Sequence, residues 1–233
     1  MQLVISLSEA PLRPCDDMHM YDDEAYHKFP GSNWVYNKLV LSEKLEYHCG
    51  PAGTKVGRDG EYIVRPITNL SGMGAGATIV HCKKNKVPTN EPGYFWCEVF
   101  EGDHITADFI FRKGERYNTF VAQGWNNKKD LVRFSRWQKL DKLPEECMIP
   151  TWLEGALSPN QCNVEWVGGK IIEVHLRHGN ADFPENATEV IPMWEGDDVQ
   201  AHSTWLEGGY TFIPNEDDAD GNISPKRIGF YYK

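Results

Sequence analysis

Residues 163–177 read NVEWVGGKIIEVHLR, and this stretch decides the fold that the sequence predicts. Apolar residues flank a Gly-Gly pair on both sides. Gly-Gly is a preferred two-residue loop between antiparallel strands because both glycines accept a positive φ, so the stretch predicts a tight β-hairpin. In the register that this turn sets, Glu165 pairs with Ile172, and Glu173 lies diagonally next to Glu165.

The second strand of this hairpin carries polar side chains where a core strand would be apolar. Side chains alternate along a strand, so Glu173, His175 and Arg177 share one face. Two neighbouring carboxylates repel, and burying either one costs free energy unless a cation compensates. Mg²⁺ is a suitable cation, because proteins usually bind it through one or two carboxylates together with substrate phosphates. The alternative is an exposed face whose glutamates pair with lysine or arginine.

The length and the net charge of the chain limit the classes to which the protein can belong. The chain has 233 residues, which suits one large domain or two tightly joined lobes. A net charge of −10 disfavours a surface that neutralises nucleic-acid phosphates or binds anionic lipid, so we expect neither partner. The six cysteines have no zinc-binding spacing and no signal peptide accompanies them, which favours a cytoplasmic protein with reduced thiols.

The remaining sequence predicts an α+β fold with mainly antiparallel strands and two or three short helices. Residues 8–34 have little periodicity and indicate a surface segment, and the basic run 126–139 indicates a solvated helical face. Helices are expected at 37–45 and 143–157, and strands at 4–7, 61–66, 78–82, 119–123, 201–206, 210–213 and 227–232, with two more strands inside 94–111.

Residues 69–77 read NLSGMGAGA and lie between two predicted strands. Such a loop can place backbone N–H groups around a phosphate, because glycine permits a close approach and unusual φ angles. The Walker and dinucleotide-binding fingerprints are both missing. The alternative is a plain hairpin with a flexible tip.

Four stretches, in their order along the chain, resemble the ATP-grasp family, in which two α+β lobes hold ATP and Mg²⁺ between two sheets. They are NKL at 37–39, IVRP at 63–66 with the glycine-rich loop after it, CEVFEGDHITAD at 97–108, and the hairpin. The resemblance implies one ATP-grasp-like unit over 1–233, with lobes at about 36–100 and 101–233. Residues 1–35 form an extension where the family usually has a complete N-terminal domain that helps to bind the acceptor.

The resemblance also implies the nucleotide-binding residues. Lys38 and Arg65 would contact the ATP phosphates, with Arg65 where the family usually has lysine. Arginine keeps the charge and presents a fork that suits phosphate oxygens. His104 replaces the glutamate that usually binds the ribose. The glycine-rich loop would cover the phosphates and the backbone of the joining segment would bind adenine, through Ser71, Gly72, Met73 and Gly74, and through Glu98, Val99 and Phe100.

For the metal and the reaction, the resemblance points to the hairpin. Glu165 and Glu173 would hold Mg²⁺. His175 replaces the usual asparagine, either as a further ligand or as a contact to phosphate or substrate. Arg177 would steady the transferred group or the carboxylate, and Arg65 would assist it.

The implied function is that of an ATP- and Mg-dependent ligase. An acceptor carboxylate would attack the γ-phosphate, and an amine or thiol would capture the resulting acylphosphate. A small-molecule kinase on the same fold and a non-catalytic nucleotide-binding or regulatory protein stay open as alternatives. The acceptor would be a small molecule or a peptide, and the basic run 128–139 favours an acidic one. An oligomer is compatible with the sequence.

Overall fold

Two antiparallel β-sheets carry most of the chain in the computed structural model. The structure describes residues 20–70, 74–112, 115–127, 130–157, 161–179, 183–184, 186–215 and 226–233. Within these residues there are twelve strands and four α-helices, and the α+β class with antiparallel sheets is confirmed.

The smaller sheet has four strands in the order β1-β4-β2-β3. Its residues are rich in β-branched and aromatic side chains, which fit a pleated surface, and Tyr62, Val64 and Trp96 are buried in its own core. The strands are β1 (Cys49–Pro51), β2 (Gly60–Pro66), β3 (Thr78–Cys82) and β4 (Tyr94–Glu98).

The larger sheet has eight strands in the order β11-β12-β10-β7-β6-β5-β8-β9. The predicted hairpin forms β8 and β9, at one edge of this sheet. The strands are β5 (His104–Arg112), β6 (Glu115–Asn127), β7 (Asp130–Lys139), β8 (Gln161–Val167), β9 (Lys170–His175), β10 (Glu189–Trp194), β11 (Thr211–Pro214) and β12 (Arg227–Tyr232).

The first three helices contribute to one core with the larger sheet, around buried Leu41, Leu153 and Trp166. The predicted helix at 37–45 is confirmed, and the Asn37 side chain caps it by accepting a hydrogen bond from the Val40 backbone N–H at 2.9 Å. The helices are α1 (Asp22–Lys28), α2 (Lys38–Lys44), α3 (Thr151–Glu154) and α4 (Val199–Glu207), with a 3₁₀ turn at Asn33–Tyr36.

Two helix predictions are wrong. Of 143–157 only Thr151–Glu154 is α-helical, because Pro144 and Pro150 cannot continue a helix. The basic run 126–139 is mostly the strand β7, which pairs with β6 and β10, so tertiary pairing overrides its helix-like composition.

Two further predictions are also wrong. The expected strand at 201–206 lies inside α4, where Trp205 packs on Tyr210 beside a small separate core. The expected surface segment forms α1 in its described part, and Ala25 there is fully buried. The strand β10 has no counterpart among the predicted strands. The predicted strand at 4–7 lies outside the described residues.

Cysteine pairing and membrane spans can be checked over the same residues. The five described cysteines are free. No described helix has the length and hydropathy to cross a membrane.

The hairpin turn generates a stability prediction. A Cβ at Gly168, whose φ is +54°, would lie 2.0 Å from the Glu101 carbonyl oxygen, whereas a Cβ at Gly196, with φ +90°, has no atom within 4 Å. We expect Gly168→Ala to lower the free energy of unfolding by about 3 kcal/mol, since the backbone must also shift, and Gly196→Ala to cost about 1 kcal/mol. Urea unfolding measures both, and equal losses would contradict the close approach.

Candidate active site

The hairpin register differs from the predicted one at the glutamates. Glu165 pairs with Glu173, because the ladder shifts between Glu165 and Trp166 and leaves Ile172 as an extra residue on β9. An unbroken ladder would pair Glu173 with Val164, whose side chain lies in the core. The bulge therefore moves Glu173 to the face of Glu165. The predicted diagonal was wrong, and the two carboxylates are direct cross-strand neighbours.

Three predicted metal ligands come together on this face. One ligand atom from each of Glu165, Glu173 and His175 lies within 4.8 Å of the others. His175 Nε2 is 3.2 Å from Glu173 Oε2 and 3.9 Å from Glu165 Oε1. Two carboxylates and an imidazole can bind a divalent cation, so the residues present fit a metal ion.

Lys38 and Arg65, the predicted phosphate-binding residues, converge on Glu173. Lys38 Nζ is 2.8 Å and Arg65 Nη1 is 3.4 Å from Glu173 Oε1. Arg65 Nη2 also donates to the carbonyl oxygen of the bulged Ile172 at 2.9 Å, so this small-sheet residue bonds to the large sheet. Burial would raise the pKa of Glu173, but Lys38, and then His175 and Arg65, hold it well below its usual value. The glutamate is thus ion-paired, yet buried rather than exposed.

Asp22, which is 3% exposed and belongs to α1, also belongs to the site, although its sequence context did not predict this. Its Oδ1 lies 3.0 Å from His175 Nδ1, and its Oδ2 accepts from Arg177 Nη2 at 2.7 Å. The Tyr36 hydroxyl donates to Asp22 Oδ1 at 3.0 Å. A signal for α1 was present, because DDEAYHK has acidic residues in its first turn and basic residues in its last.

The charges in this network shift its pKa values. Burial would raise the pKa of Asp22, but His175 and Arg177 hold it well below its usual value. Burial would lower the pKa of His175, but the Asp22 carboxylate raises it to about 9. Without a metal, His175 is therefore an imidazolium at neutral pH.

His104, at the position where the family has a glutamate, faces Glu165. Its Nε2 is 3.0 Å from Glu165 Oε2. The ring packs edge-on against Phe134 and Trp137 of β7, with ring centres 4.9 and 5.7 Å apart. The strand expected to be a helical face thus contributes aromatic rings to the site.

A cavity of about 600 Å³ lies between the two sheets and joins these groups. Ser71, Gly72 and Met73 lie outside the described residues. The predicted positions that line the cavity are Lys38, Arg65, Gly74, Glu98, Val99, Phe100, His104, Glu165, Glu173, His175 and Arg177.

Acidic residues of the same chain pair with part of the basic run. Arg133 forms an ion pair with Asp130, and Arg136 forms one with Glu189 at 2.5 Å. Lys128 and Lys129 lie outside the described residues.

Comparisons with known proteins show similarity in structure alone. No family model and no curated protein matches the sequence. N5-carboxyaminoimidazole synthetase from Staphylococcus aureus, complexed with ADP, superposes with a TM-score of 0.57 and 7% identity, over 86% of this chain and 67% of that one. Carboxyaminoimidazole ribonucleotide synthase from Aspergillus clavatus, complexed with ATP, superposes with a TM-score of 0.56 and 8% identity, over 85% of this chain and 68% of that one.

L-amino acid ligase from Bacillus licheniformis gives a TM-score of 0.52 and 10% identity, over 85% of this chain and 66% of that one. The chain has the ATP-grasp fold. The ATP-grasp resemblance of the four sequence stretches is therefore confirmed at the level of fold. The chain spans about two thirds of the length of these three structures.

The Asp22–His175 pair generates a prediction about pH. The pKa of His175 is about 9 in the folded chain and 6.5 ordinarily, so its protonation stabilises the fold fully below pH 6.5, and this contribution is lost as the pH rises through 9. In metal-free buffer we expect the free energy of unfolding to fall by up to about 3 kcal/mol over that range.

Urea unfolding at several pH values measures this loss. The His175→Asn variant should lack it, and His81→Asn, at an exposed position, should keep it. A wild-type protein with constant stability from pH 6.5 to 9 would contradict the ion pair.

Proposed function

We propose that the protein is an ATP- and divalent-metal-dependent ligase that activates a carboxylate as an acylphosphate for capture by an amine or a thiol. The observation that carries the proposal is the convergence of Lys38 and Arg65 on Glu173, beside Glu165, in the cavity between the sheets. Phosphoryl transfer needs positioned cations and a metal site more than a nucleophilic side chain. The ligases of the same fold support the same class of reaction.

In this proposal, lobes at 36–100 and 101–233 close around ATP. The Glu98 backbone N–H donates to the His48 carbonyl oxygen at 2.9 Å, so the adenine edge would bind to other backbone groups of Glu98, Val99 and Phe100. Ile63, Ile79 and Ile172 line the cavity and supply apolar walls for the base. The glycine-rich loop at 69–77, of which Gly74 lines the cavity, would cover the phosphates.

The side chains of the site would bind the metal, the phosphates and the acceptor. Glu165 and Glu173 would hold the metal, by resemblance Mg²⁺, which when bound neutralises charge on the phosphates. Lys38 and Arg65 would move from Glu173 Oε1 toward the phosphate oxygens. Arg177, which lines the same cavity, would hold the acceptor carboxylate in line with the γ-phosphate.

Two alternatives use the same site. A kinase would stop after phosphate transfer to the acceptor. A regulatory protein would bind nucleotide without turnover, and it is favoured by the cations that already neutralise Glu173. The ligase is favoured by the adjacent carboxylates of Glu165 and Glu173, which repel each other unless a cation binds between them. An acidic acceptor stays a prediction, and the pairing of Arg133 and Arg136 reduces the charge available for it.

The test is turnover by the purified full chain with carboxylate and amine pairs. A carboxylate labelled with oxygen-18 should pass one label to inorganic phosphate, because the bridging oxygen of the acylphosphate comes from the carboxylate and leaves with the phosphate when the amine attacks the acyl carbon. A kinase would release no inorganic phosphate. A binding protein would form no ADP.

Variants of the metal site extend this test. We expect Glu165→Gln to lower ADP formation by roughly 100-fold or more, because a charge that faces the phosphates is lost. Its melting temperature should change little, since this side chain is 24% exposed. Glu207→Gln, at an exposed position of α4, is the control. Full activity in Glu165→Gln would remove the hairpin from the active site.

A further inference from the structure

We propose that this site selects a first-row transition ion, represented by Mn²⁺, over Mg²⁺, because His175 adds a nitrogen ligand and Asp22 positions it. The inference rests on the proposed function only for the place of the metal, and it does not depend on which reaction follows. It makes His175 a ligand and Asp22 a positioning residue.

A buried carboxylate fixes the orientation of the His175 imidazole. His175 Nδ1 is 3.0 Å from Asp22 Oδ1, and this carboxylate is buried and also held by Tyr36 and Arg177. The ring therefore cannot turn without breaking a buried ion pair. Its other nitrogen, Nε2, points to Glu165 and Glu173. A ligating histidine is typically fixed in this way, by a carboxylate on the nitrogen that does not bind the metal.

Neighbouring residues also hold the two glutamates, each through one carboxylate oxygen. Glu165 Oε2 is 3.0 Å from His104 Nε2, and Glu173 Oε1 is 2.8 Å from Lys38 Nζ. The other oxygen of each carboxylate, Glu165 Oε1 or Glu173 Oε2, is the one nearer to His175 Nε2. In each of the three side chains, one polar atom thus contacts a neighbouring residue. A second polar atom faces the space between the three side chains, where a cation would bind.

The position of His175 Nε2 also fits a ligand. This nitrogen is 3.2 Å from Glu173 Oε2 and 3.9 Å from Glu165 Oε1, so a cation between these atoms would meet one nitrogen and two carboxylate oxygens. The Nε2 lone pair would form the bond to the metal, and any proton on this nitrogen would leave to solvent.

The donor set then decides the class of metal. Carboxylates, carbonyls and water suit Mg²⁺, and Mg²⁺ binds imidazole poorly, whereas imidazole suits the first-row transition ions. Mn²⁺ also accepts carboxylate and phosphate oxygens, so it fits both the protein ligands and a nucleotide. An asparagine at 175 would offer an amide oxygen instead, so His175→Asn should return the preference toward Mg²⁺.

The experiment uses the full chain with Mn²⁺ alone and no nucleotide. Pulsed electron paramagnetic resonance of bound Mn²⁺ should show modulation from a directly coordinated imidazole nitrogen. The signal should be lost in His175→Asn. It should weaken in Asp22→Asn and persist in Asp23→Asn, whose exposed side chain lies next along α1.

Competition between Mn²⁺ and Mg²⁺ gives a second measurement. The ratio of their dissociation constants should move toward Mg²⁺ by about 10-fold or more in His175→Asn. No nitrogen signal in the wild-type protein would overturn the inference, and this result needs no variant to fold. An unchanged ratio in a folded His175→Asn protein would also overturn it.

These outcomes are separable from those of the proposed function. A nitrogen signal without ADP formation would keep the metal assignment and reject the ligase. Turnover with Mg²⁺ and no nitrogen signal would keep the ligase and reject the role of His175.

Discussion

The buried carboxylate of Glu173 is the interaction on which the rest of the site depends. It is 8% exposed, so it has lost most of its hydration and needs compensating charge. Lys38 from α2, Arg65 from the small sheet and His175 from the same strand supply it. The ion cluster therefore connects both sheets and α2 at one carboxylate.

A second buried carboxylate, Asp22, extends this cluster toward the N-terminal side. It holds His175 and Arg177, while Tyr36 bonds both to Asp22 and to the backbone N–H of Leu176. The segment before α2 is thus built into the site rather than lying on the surface. Loss of Asp22 would remove the carboxylate that pairs with both His175 and Arg177, which is costly.

The same arrangement connects stability with the proposed function. Lys38 and Arg65 neutralise Glu173 in the free protein, and they are the groups proposed to meet the phosphates. A metal ion at Glu173 would replace their charge and release them toward the nucleotide. Binding would then exchange the ion-pair partners of Glu173, Lys38 and Arg65, so that no buried charge is left without a partner of opposite sign.

The sequence by itself determined the tight hairpin and the helix at 37–45, because turn chemistry and helix propensity act between neighbouring residues. It also carried the four stretches whose resemblance predicted the fold. Only the tertiary structure decided the bulge at Ile172, the role of Asp22 and the strand at Asp130–Lys139. The bulge depends on which strand face meets the core, and Asp22 lies 153 residues from His175. Such contacts arise only when the sheets have assembled, so local pattern in the sequence does not reveal them.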